Sequence, residues 1–292
     1  MTVLMQIEAA AVRACLAVLR AMGPVRASDI AGRIARRLGP LLFVSRVADG
    51  NLRRALPELD DAGRHRVIAG VWENLGRTVG ELPHLASLGE TSTGPGWEYA
   101  DRDGMRALAA QGGPLLFVTG HWGNWEVLPR ALAALGMEGA VVYRPIGNRV
   151  IDAMVHGLRK GAAPGIRLFP KGARGARQAM AHLAQGKMLG ILGDQKMNDG
   201  IEARFFGLPA MTVSAPAALA LRYGSAIVMM RVDRIGPARF RIVMDPPLTV
   251  LPTGNRAGDV AAMAQRMNDG FEAWIRARPE SWLWLHRRWP KP

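Results

Sequence analysis

Short apolar runs alternate with segments of helical periodicity after residue 113, and this alternation constrains the fold more than any other feature. Five of the runs have the length of buried strands: Pro114–Thr119, Gly139–Tyr143, Ile166–Phe169, Met188–Leu192 and Ala226–Val232. Helical segments separate them near 122–136, 148–162, 174–185 and 212–223. A strand, a crossover helix and a second strand form a parallel pair. The sequence therefore predicts an α/β fold with a mostly parallel central sheet flanked by helices.

A sixth strand and a last helix complete this part of the chain. Phe240–Met244 follows the preceding strand after a short turn at Gly236-Pro237, so we expect these two strands to pair antiparallel. The final helix is predicted over residues 257–278.

Residues 1–90 have a helical pattern of their own. Apolar residues recur at helical spacing in Val3–Met22, Ile30–Leu38 and Val67–Leu82. We predict a helical N-terminal layer over residues 1–90 and an α/β domain over residues 91–292, with the loop Glu90–Gly96 as the boundary. Arginines lie among the apolar residues of the layer, at Arg13, Arg20, Arg33, Arg36 and Arg37. Such a layer either contacts a membrane interface or packs as an amphipathic layer on the main domain, and the sequence leaves both open.

The charge of the chain favours acidic partners. The formal net charge is +14 at pH 7, which suits nucleic acid, anionic lipid head groups or an acidic carrier protein. We expect no nucleic acid partner, because the sequence has no helix-turn-helix, zinc-finger or RNA-binding signature. The single cysteine, Cys15, excludes an intramolecular disulfide. No histidine and carboxylate residues have the spacing of metal ligands, so we expect no metal.

No apolar stretch has the length of a membrane-spanning helix. The best candidate, Ala9–Met22, is interrupted by Arg13 and Arg20 and is shorter than the roughly 20 apolar residues that a spanning helix needs. A small-residue cleavage site is also lacking, so we expect no signal peptide. The expected location is the cytoplasm or the inner face of a membrane.

Candidate catalytic residues lie where the first buried strand ends. His121 follows that strand directly, and Glu126 lies five residues later in the first turns of a helix. Two residues at that spacing do not share a helix face, so a pair requires His121 to lie before the helix, on a turn that Gly120 and Gly123 permit. A histidine can remove the proton from a hydroxyl nucleophile. A carboxylate on its other ring nitrogen fixes the tautomer, a role that we assign to Glu126.

The string Gly120-His-Trp-Gly-Asn-Trp-Glu126 resembles the His-x-x-x-x-Asp/Glu motif of glycerolipid acyltransferases. In detail it is similar to that of the lipid A biosynthesis acyltransferases, the late lauroyl and myristoyl enzymes. Further motifs of that family occur in order: Tyr143-Arg144-Pro145, Asp194-Gln195, Phe205-Phe206-Gly207, and Pro279-Glu-Ser-Trp-Leu-Trp-Leu-His-Arg-Arg288, with Trp282 where the family more often has tyrosine.

The resemblance implies a glycerolipid acyltransferase-like fold, an acyl carrier protein thioester as donor and a lipid A precursor as acceptor. By position it implies roles for Asp194 and for Arg159, with Arg167 as the competitor of Arg159. It implies no resident cofactor, since acyl carrier protein or coenzyme A brings the acyl group. The implied location is the cytoplasmic face of the bacterial inner membrane, with peripheral or weak anchoring.

Several further residues are candidates for substrate binding. The forked guanidinium groups of Arg144 and Arg159 suit phosphates of the acceptor or of a phosphopantetheine arm. Asp194, at the end of a strand, holds a catalytic arginine or caps the next turn, and these alternatives stay open. The full set that we assign to substrate binding is Asn124, Arg144, Arg159, Asp194, Gln195, Phe205, Phe206 and Gly207.

Two aromatic segments allow alternative interpretations. Phe205-Phe206-Gly207 lines an acyl groove or belongs to the core. Trp282, Trp284 and Trp289, beside Arg287 and Arg288, suit a membrane interface, or else the C-terminal segment packs on the domain.

We therefore expect an acyltransferase acting on a lipid A precursor. The alternatives are transfer to a lysophospholipid, an amino-acid lipid or another glycolipid, and a catalytically inactive homologue that binds a membrane or a carrier protein.

Overall fold

The computed structural model describes residues 3–249 and 252–290. The described helices are α1 (Val3–Met22), α2 (Pro24–Leu38), α3 (Ser45–Ala55), α4 (Asp61–Glu81), α5 (Arg102–Gln111), α6 (Val127–Ala134), α7 (Arg149–Ala162), α8 (Ala173–Ala184), α9 (Ala215–Tyr223) and α10 (Arg256–Ala277). The described strands are β1 (Gly89–Glu90), β2 (Gly96–Tyr99), β3 (Leu115–Thr119), β4 (Gly139–Tyr143), β5 (Ile166–Pro170), β6 (Met188–Leu192), β7 (Ile201–Phe205), β8 (Leu208–Thr212), β9 (Ile227–Gly236) and β10 (Arg239–Met244).

The α/β fold with a mostly parallel sheet is confirmed. Within the described ranges one sheet of eight strands has the order β1-β2-β10-β9-β3-β6-β4-β5. Strands β9, β3, β6, β4 and β5 are parallel, and β10 pairs antiparallel with β9, as the short turn between them predicted. The strands β4 and β6 have the predicted bounds because buried parallel strands consist of continuous apolar residues.

Other elements were missed because their sequences are polar. Helix α3 (Ser45–Ala55) contains Asp, Asn, Gly and three Arg, and its buried face includes Ser45 and Asn51, so few apolar residues mark it in the sequence. The hairpin of β7 and β8 is a separate two-stranded unit with mixed burial. The predicted helix near 212–223 begins at Ala215, because residues up to Thr212 belong to β8.

Apolar residues form layers on both faces of the sheet. Along β3, Leu116 and Val118 belong to one cluster of buried residues, whereas Leu115 and Phe117 belong to another. Alternate residues of a strand point to opposite faces, so the two clusters cover the two faces. This double burial explains why β3 is apolar at four successive positions.

Of the two alternatives for the C-terminal tryptophans, the structure shows the second: the segment packs on the domain. Trp282, Trp284 and Trp289 are all less than 5 % exposed. Their rings pack around Phe205 and Phe206 of the β7–β8 hairpin. A buried aromatic cluster is stabilised by the large area that each ring removes from water.

Gly123 is the residue that the turn after β3 requires. Its φ is +53°, and a Cβ at this position would lie 1.8 Å from the carbonyl oxygen of Val232 in β9. Any side chain would therefore push the turn away from the sheet. Gly224, after α9, also has a positive φ, +63°, in the left-handed region, but nothing lies within 4 Å of a Cβ there.

We expect Gly123→Ala to lower the free energy of unfolding by about 3 kcal/mol or more, because backbone strain and a steric clash add. Gly224→Ala is the matched control, with backbone strain alone and an expected loss of about 1 kcal/mol. Urea denaturation followed by circular dichroism measures both. Equal losses in the two variants would contradict this account of the turn.

Candidate active site

The register of two neighbouring strands brings His121 and Asp194 together. Strand β3 pairs with β6 so that Thr119 lies opposite Leu192. His121 and Asp194 each lie two residues beyond this last pair, at the carboxyl ends of both strands. In open α/β sheets this edge is where ligands bind.

Asp194 binds His121 through both the backbone and the ring. Its Oδ1 lies 2.9 Å from Nδ1 of His121, and its Oδ2 accepts the backbone N–H of His121 at 2.8 Å. Oδ2 also accepts the indole N–H of Trp282 at 2.7 Å. The carboxylate is buried, at 1 % exposure, so these donors replace the water that it loses.

This arrangement sets the protonation of the pair. Burial opposes ionisation of Asp194, but the charge and hydrogen bonds of His121 hold the pKa of this carboxyl well below its usual range. Burial likewise lowers the pKa of His121, but Asp194 and, to a smaller extent, Glu126 raise it above its ordinary value. An ionised carboxylate only accepts hydrogen bonds, so Nδ1 donates the proton. In the neutral ring, Nε2 then carries the free lone pair.

Glu126 is not the carboxylate that orients the ring, and this prediction is corrected. Its two oxygens accept a fork from Arg159, with Nε to Oε2 at 2.7 Å and Nη2 to Oε1 at 2.5 Å. Glu126 ends the turn after β3 and directly precedes α6, so its side chain faces α7, which carries Arg159, while Asp194 occupies the ring of His121. The site therefore contains two separate ion pairs.

Asn124, predicted to bind substrate, is buried and has a structural role. It has 0 % exposure, its amide donates to the buried carboxylate of Glu81 in α4 at 2.7 Å, and its Oδ1 accepts the backbone N–H of Glu126 at 3.2 Å. Glu81 is also paired with Arg234 of β9. Asn124 thus fixes the turn between His121 and α6 to the helical layer.

A cavity of about 990 Å³ opens beside the two ion pairs. His121, Glu126 and Arg159 line it together with Arg144 and Gln195. The side-chain nitrogen of Gln195 lies 3.5 Å from Nε2 of His121, which places this nitrogen of the ring at the cavity. Most of the wall is apolar, with Phe117, Leu128, Leu132, Val141, Leu168, Met180, Leu189, Ile191 and Leu219 among its residues.

The same cavity has a basic edge, part of which the sequence did not predict. Arg144, Lys171 and Lys196 are exposed and line it, and no carboxylate pairs with them among the described residues. Asp199, three residues after Lys196, is an acidic residue that also lines the cavity. Arg167, the competitor of Arg159, is not among the described lining residues.

Phe205, Phe206 and Gly207, which we assigned to substrate binding with the core as the alternative, do not line this cavity, and the core alternative describes the two rings. These residues form the tight turn of the β7–β8 hairpin, where Phe206 and Gly207 have φ of +54° and +71°. Both phenyl rings are buried in the C-terminal tryptophan cluster, away from the cavity. The two phenylalanines are apolar because their rings belong to the core, and Gly207 follows them because the turn has a positive φ there.

Comparisons with known proteins show what the chain is similar to. The family model described as "Bacterial lipid A biosynthesis acyltransferase" matches residues 2–291. The lipid A biosynthesis lauroyltransferase of Escherichia coli K12 is 24 % identical over 261 residues, which cover 84 % of this chain and 78 % of that protein. The lipid A biosynthesis myristoyltransferase of the same organism is 24 % identical over 259 residues, covering 87 % of this chain and 77 % of that protein.

Asp194→Asn should lower the pKa of His121, because the variant removes the negative charge that offsets burial. Glu126→Gln is the matched control and should lower that pKa less, since Glu126 acts on the ring only through space. Titration of ¹⁵N-histidine-labelled protein by NMR measures both values. A larger decrease in Glu126→Gln than in Asp194→Asn would show that Glu126 is the partner of His121.

Proposed function

Because the chain belongs to the family of bacterial lipid A biosynthesis acyltransferases, we propose that it transfers a fatty acyl group from acyl carrier protein to a hydroxyl of a lipid A precursor. The residues at the carboxyl ends of β3 and β6 support this reaction. The observation that carries the proposal is the orientation of His121, whose Nδ1 is occupied by Asp194 and whose Nε2 side lies at a large, mostly apolar cavity.

The cavity suits a fatty acyl chain beside the reacting groups. Its volume of about 990 Å³ is at the upper end of the roughly 300–1,000 Å³ of small-molecule sites. Its apolar wall extends from the ends of β3 and β4 to α8 and α9. Burying a methylene group stabilises binding by about 0.8 kcal/mol, so such a wall retains a long chain.

The two ion pairs have different tasks in the proposed reaction. Nε2 of His121 takes the proton of the acceptor hydroxyl while its oxygen attacks the thioester carbonyl carbon. Asp194 stabilises the imidazolium that forms. A carbon–oxygen bond forms, the carbon–sulfur bond breaks, and the thiolate leaves with the proton that His121 returns. Direct transfer requires no acyl-enzyme.

Arg159 is the donor that stabilises the negative charge developing on the carbonyl oxygen. Glu126 holds its Nε and Nη2, which leaves Nη1 as the free arm of the fork. A guanidinium held in one orientation stabilises an oxyanion without reorganising during the reaction. Glu126 therefore acts through Arg159 in this proposal.

The basic edge of the cavity supports phosphorylated substrates. Arg144, Lys171 and Lys196 present exposed cationic groups there, and such groups bind phosphate by charge-assisted hydrogen bonds. The net charge of +14 likewise favours an acidic carrier protein.

We expect His121→Ala to reduce transfer by at least about 10³-fold, since it removes the base and leaves the carboxylate of Asp194 without the ring that it orients. His65→Ala is the control, an exposed histidine on α4, and should retain activity. The assay supplies acyl carrier protein thioesters and, in a separate arm, acyl-coenzyme A, with a tetra-acylated lipid A precursor as acceptor and mass spectrometry as readout. No transfer by folded wild type from either donor would refute the proposed acceptor, and lysophospholipids would be tested next. Equal transfer by His121→Ala would refute the base.

An apolar stripe on α1 supports contact with a membrane. The large apolar residues that α1 exposes are Val3, Leu4, Ile7 and Val18. At 100° per residue, these four residues fall within an arc of about 100° around the helix axis. The buried residues of the helix, Ala9 and Leu19, lie on the other side. Helix α1 thus presents its apolar residues outward, the reverse of an ordinary surface helix. In the described residues no helix combines the length and the apolarity needed to cross a bilayer.

A second apolar surface follows α2. Leu41, Leu42 and Phe43 are consecutive and exposed, at 80 %, 52 % and 73 %, and the guanidinium of Arg46 lies 4.9 Å from the centre of the Phe43 ring. Arg37 is exposed nearby in the chain. Helices α2 and α4 pack on each other, and Glu81 of α4 pairs with Arg234 of β9, so the layer is packed on the domain and still exposes these residues. We propose that both surfaces contact an anionic membrane, which locates the protein at the cytoplasmic face of the inner membrane.

The triple variant Leu41→Ser, Leu42→Ser and Phe43→Ser should weaken binding to vesicles of phosphatidylglycerol on the order of a hundredfold, from the loss of about 1 kcal/mol per partly inserted side chain. Ile235→Ser is the control, because Ile235 is exposed at the β9–β10 end, outside this layer. Vesicle co-sedimentation measures the partition. Unchanged binding of the triple variant would exclude the Leu41–Phe43 surface as a contact.

A further inference from the structure

The C-terminal segment holds the turn that carries His121. The carbonyl oxygen of His121 accepts the backbone N–H of Leu283 at 3.0 Å, and the backbone N–H of Gly123 donates to the carbonyl oxygen of Ser281 at 3.0 Å. Trp122 and Trp282 form an antiparallel bridge between these two bonds. Three residues of the C-terminal segment therefore lie against the three residues that begin the catalytic turn.

Trp282 reaches from this bridge to the catalytic pair. Its indole N–H donates to Oδ2 of Asp194 at 2.7 Å. The same oxygen lies 3.3 Å from Nδ1 of His121, while Oδ1 lies at 2.9 Å. A carboxylate with two similar oxygens near one ring nitrogen can rotate between them. The indole restrains that rotation, because it binds Oδ2 together with the backbone N–H of His121.

We propose that Trp282 is a positioning residue of the acyl transfer reaction, whose indole N–H keeps Oδ1 of Asp194 as the oxygen nearer to Nδ1 of His121 and, by sharing the charge of the carboxylate, limits the proton affinity of the pair. The role of Trp282 in catalysis rests on the proposed function, in which His121 is the base. Trp282 itself lies beneath the pair, at 1 % exposure, and it acts on the substrate only through Asp194 and His121.

The proposal predicts a direction for the pH dependence. Without the indole N–H, the backbone N–H of His121 still binds Oδ2 and keeps the carboxylate beside the ring. Asp194 then shares its charge with one donor fewer, so the protonated ring is stabilised and the pKa of His121 rises. The neutral ring is the base, so the rising limb of kcat/KM against pH moves to higher pH. The other charged or titratable groups that act on the pair are Glu126, toward His121, and His286 and Arg288, toward Asp194. The variant retains all three residues, of which His286 packs on the ring of Trp282 with centroids 5.1 Å apart.

Trp284→Phe is the matched control for Trp282→Phe. Trp284 is equally buried, packs against Trp282 with ring centroids 4.7 Å apart, and donates its own indole N–H to the carbonyl oxygen of Pro279 at 2.7 Å. Both variants remove one indole and one hydrogen bond from the same cluster. Only Trp282→Phe removes a hydrogen bond to the carboxylate of Asp194.

The experiment measures the pKa of His121 by ¹⁵N NMR in both variants, together with the pH profile of kcat/KM. Trp282→Phe should raise the pKa of His121 and the midpoint of the rising limb by about half a unit or more, and Trp284→Phe should move neither. No shift in Trp282→Phe, or equal shifts in both variants, would overturn the proposal.

A measurement on the wild-type protein covers the case in which Trp282→Phe does not fold. The indole proton of Trp282 should resonate downfield of the other indole protons and should follow the titration of His121, because both groups bind one carboxylate. An indole signal that stays constant through that titration would overturn the proposal. The NMR titrations need no substrate, so a failure of the acyl transfer proposal is distinguishable from a failure of this one.

Discussion

The contact between Asp194 and His121 is the interaction on which the rest of the site depends. It joins the carboxyl ends of two adjacent strands, β3 and β6, whose register brings both residues to the same edge. A buried carboxylate needs strong donors in place of water, and the ring and backbone of His121 supply them. The same contact fixes the tautomer and directs Nε2 to the cavity. One interaction therefore serves stability and the proposed chemistry together.

The elements around this pair are arranged to keep its turn in place. Gly123 allows the turn to approach β9, and Asn124 ties it to Glu81 of the helical layer. The C-terminal segment supports it from another side through its bonds to His121 and Gly123. Because these contacts come from distant parts of the chain, the site forms only when the N-terminal layer, the sheet and the C-terminal segment are all folded. Precise placement of a base relative to a substrate depends on such surroundings.

The sequence was informative where local pattern determines structure. Apolar runs identified the five parallel strands β3, β4, β5, β6 and β9, and the position of His121 after β3 identified the candidate base. The partner of His121 was not predictable in the same way. Asp194 lies more than seventy residues from His121 in the chain, and the order of strands in a sheet is not a local property of the sequence. Glu126 was the nearer carboxylate in sequence, but Arg159 binds it. Aromatic residues such as Phe205 show the same apolar pattern in a groove, at a membrane or in a core, so only packing distinguishes these cases.

A double-mutant cycle on His121 and Asp194 tests the central claim most directly. The measurement compares kcat/KM for acyl transfer in wild type, His121→Ala, Asp194→Asn and the double variant, in which residues that act as one unit show non-additive losses. If Asp194 acts through the ring of His121, its substitution has a large effect in the wild type and almost none in the His121→Ala background. If Asp194→Asn reduces kcat/KM by the same factor in both backgrounds, the two residues act independently and the proposed pair is contradicted.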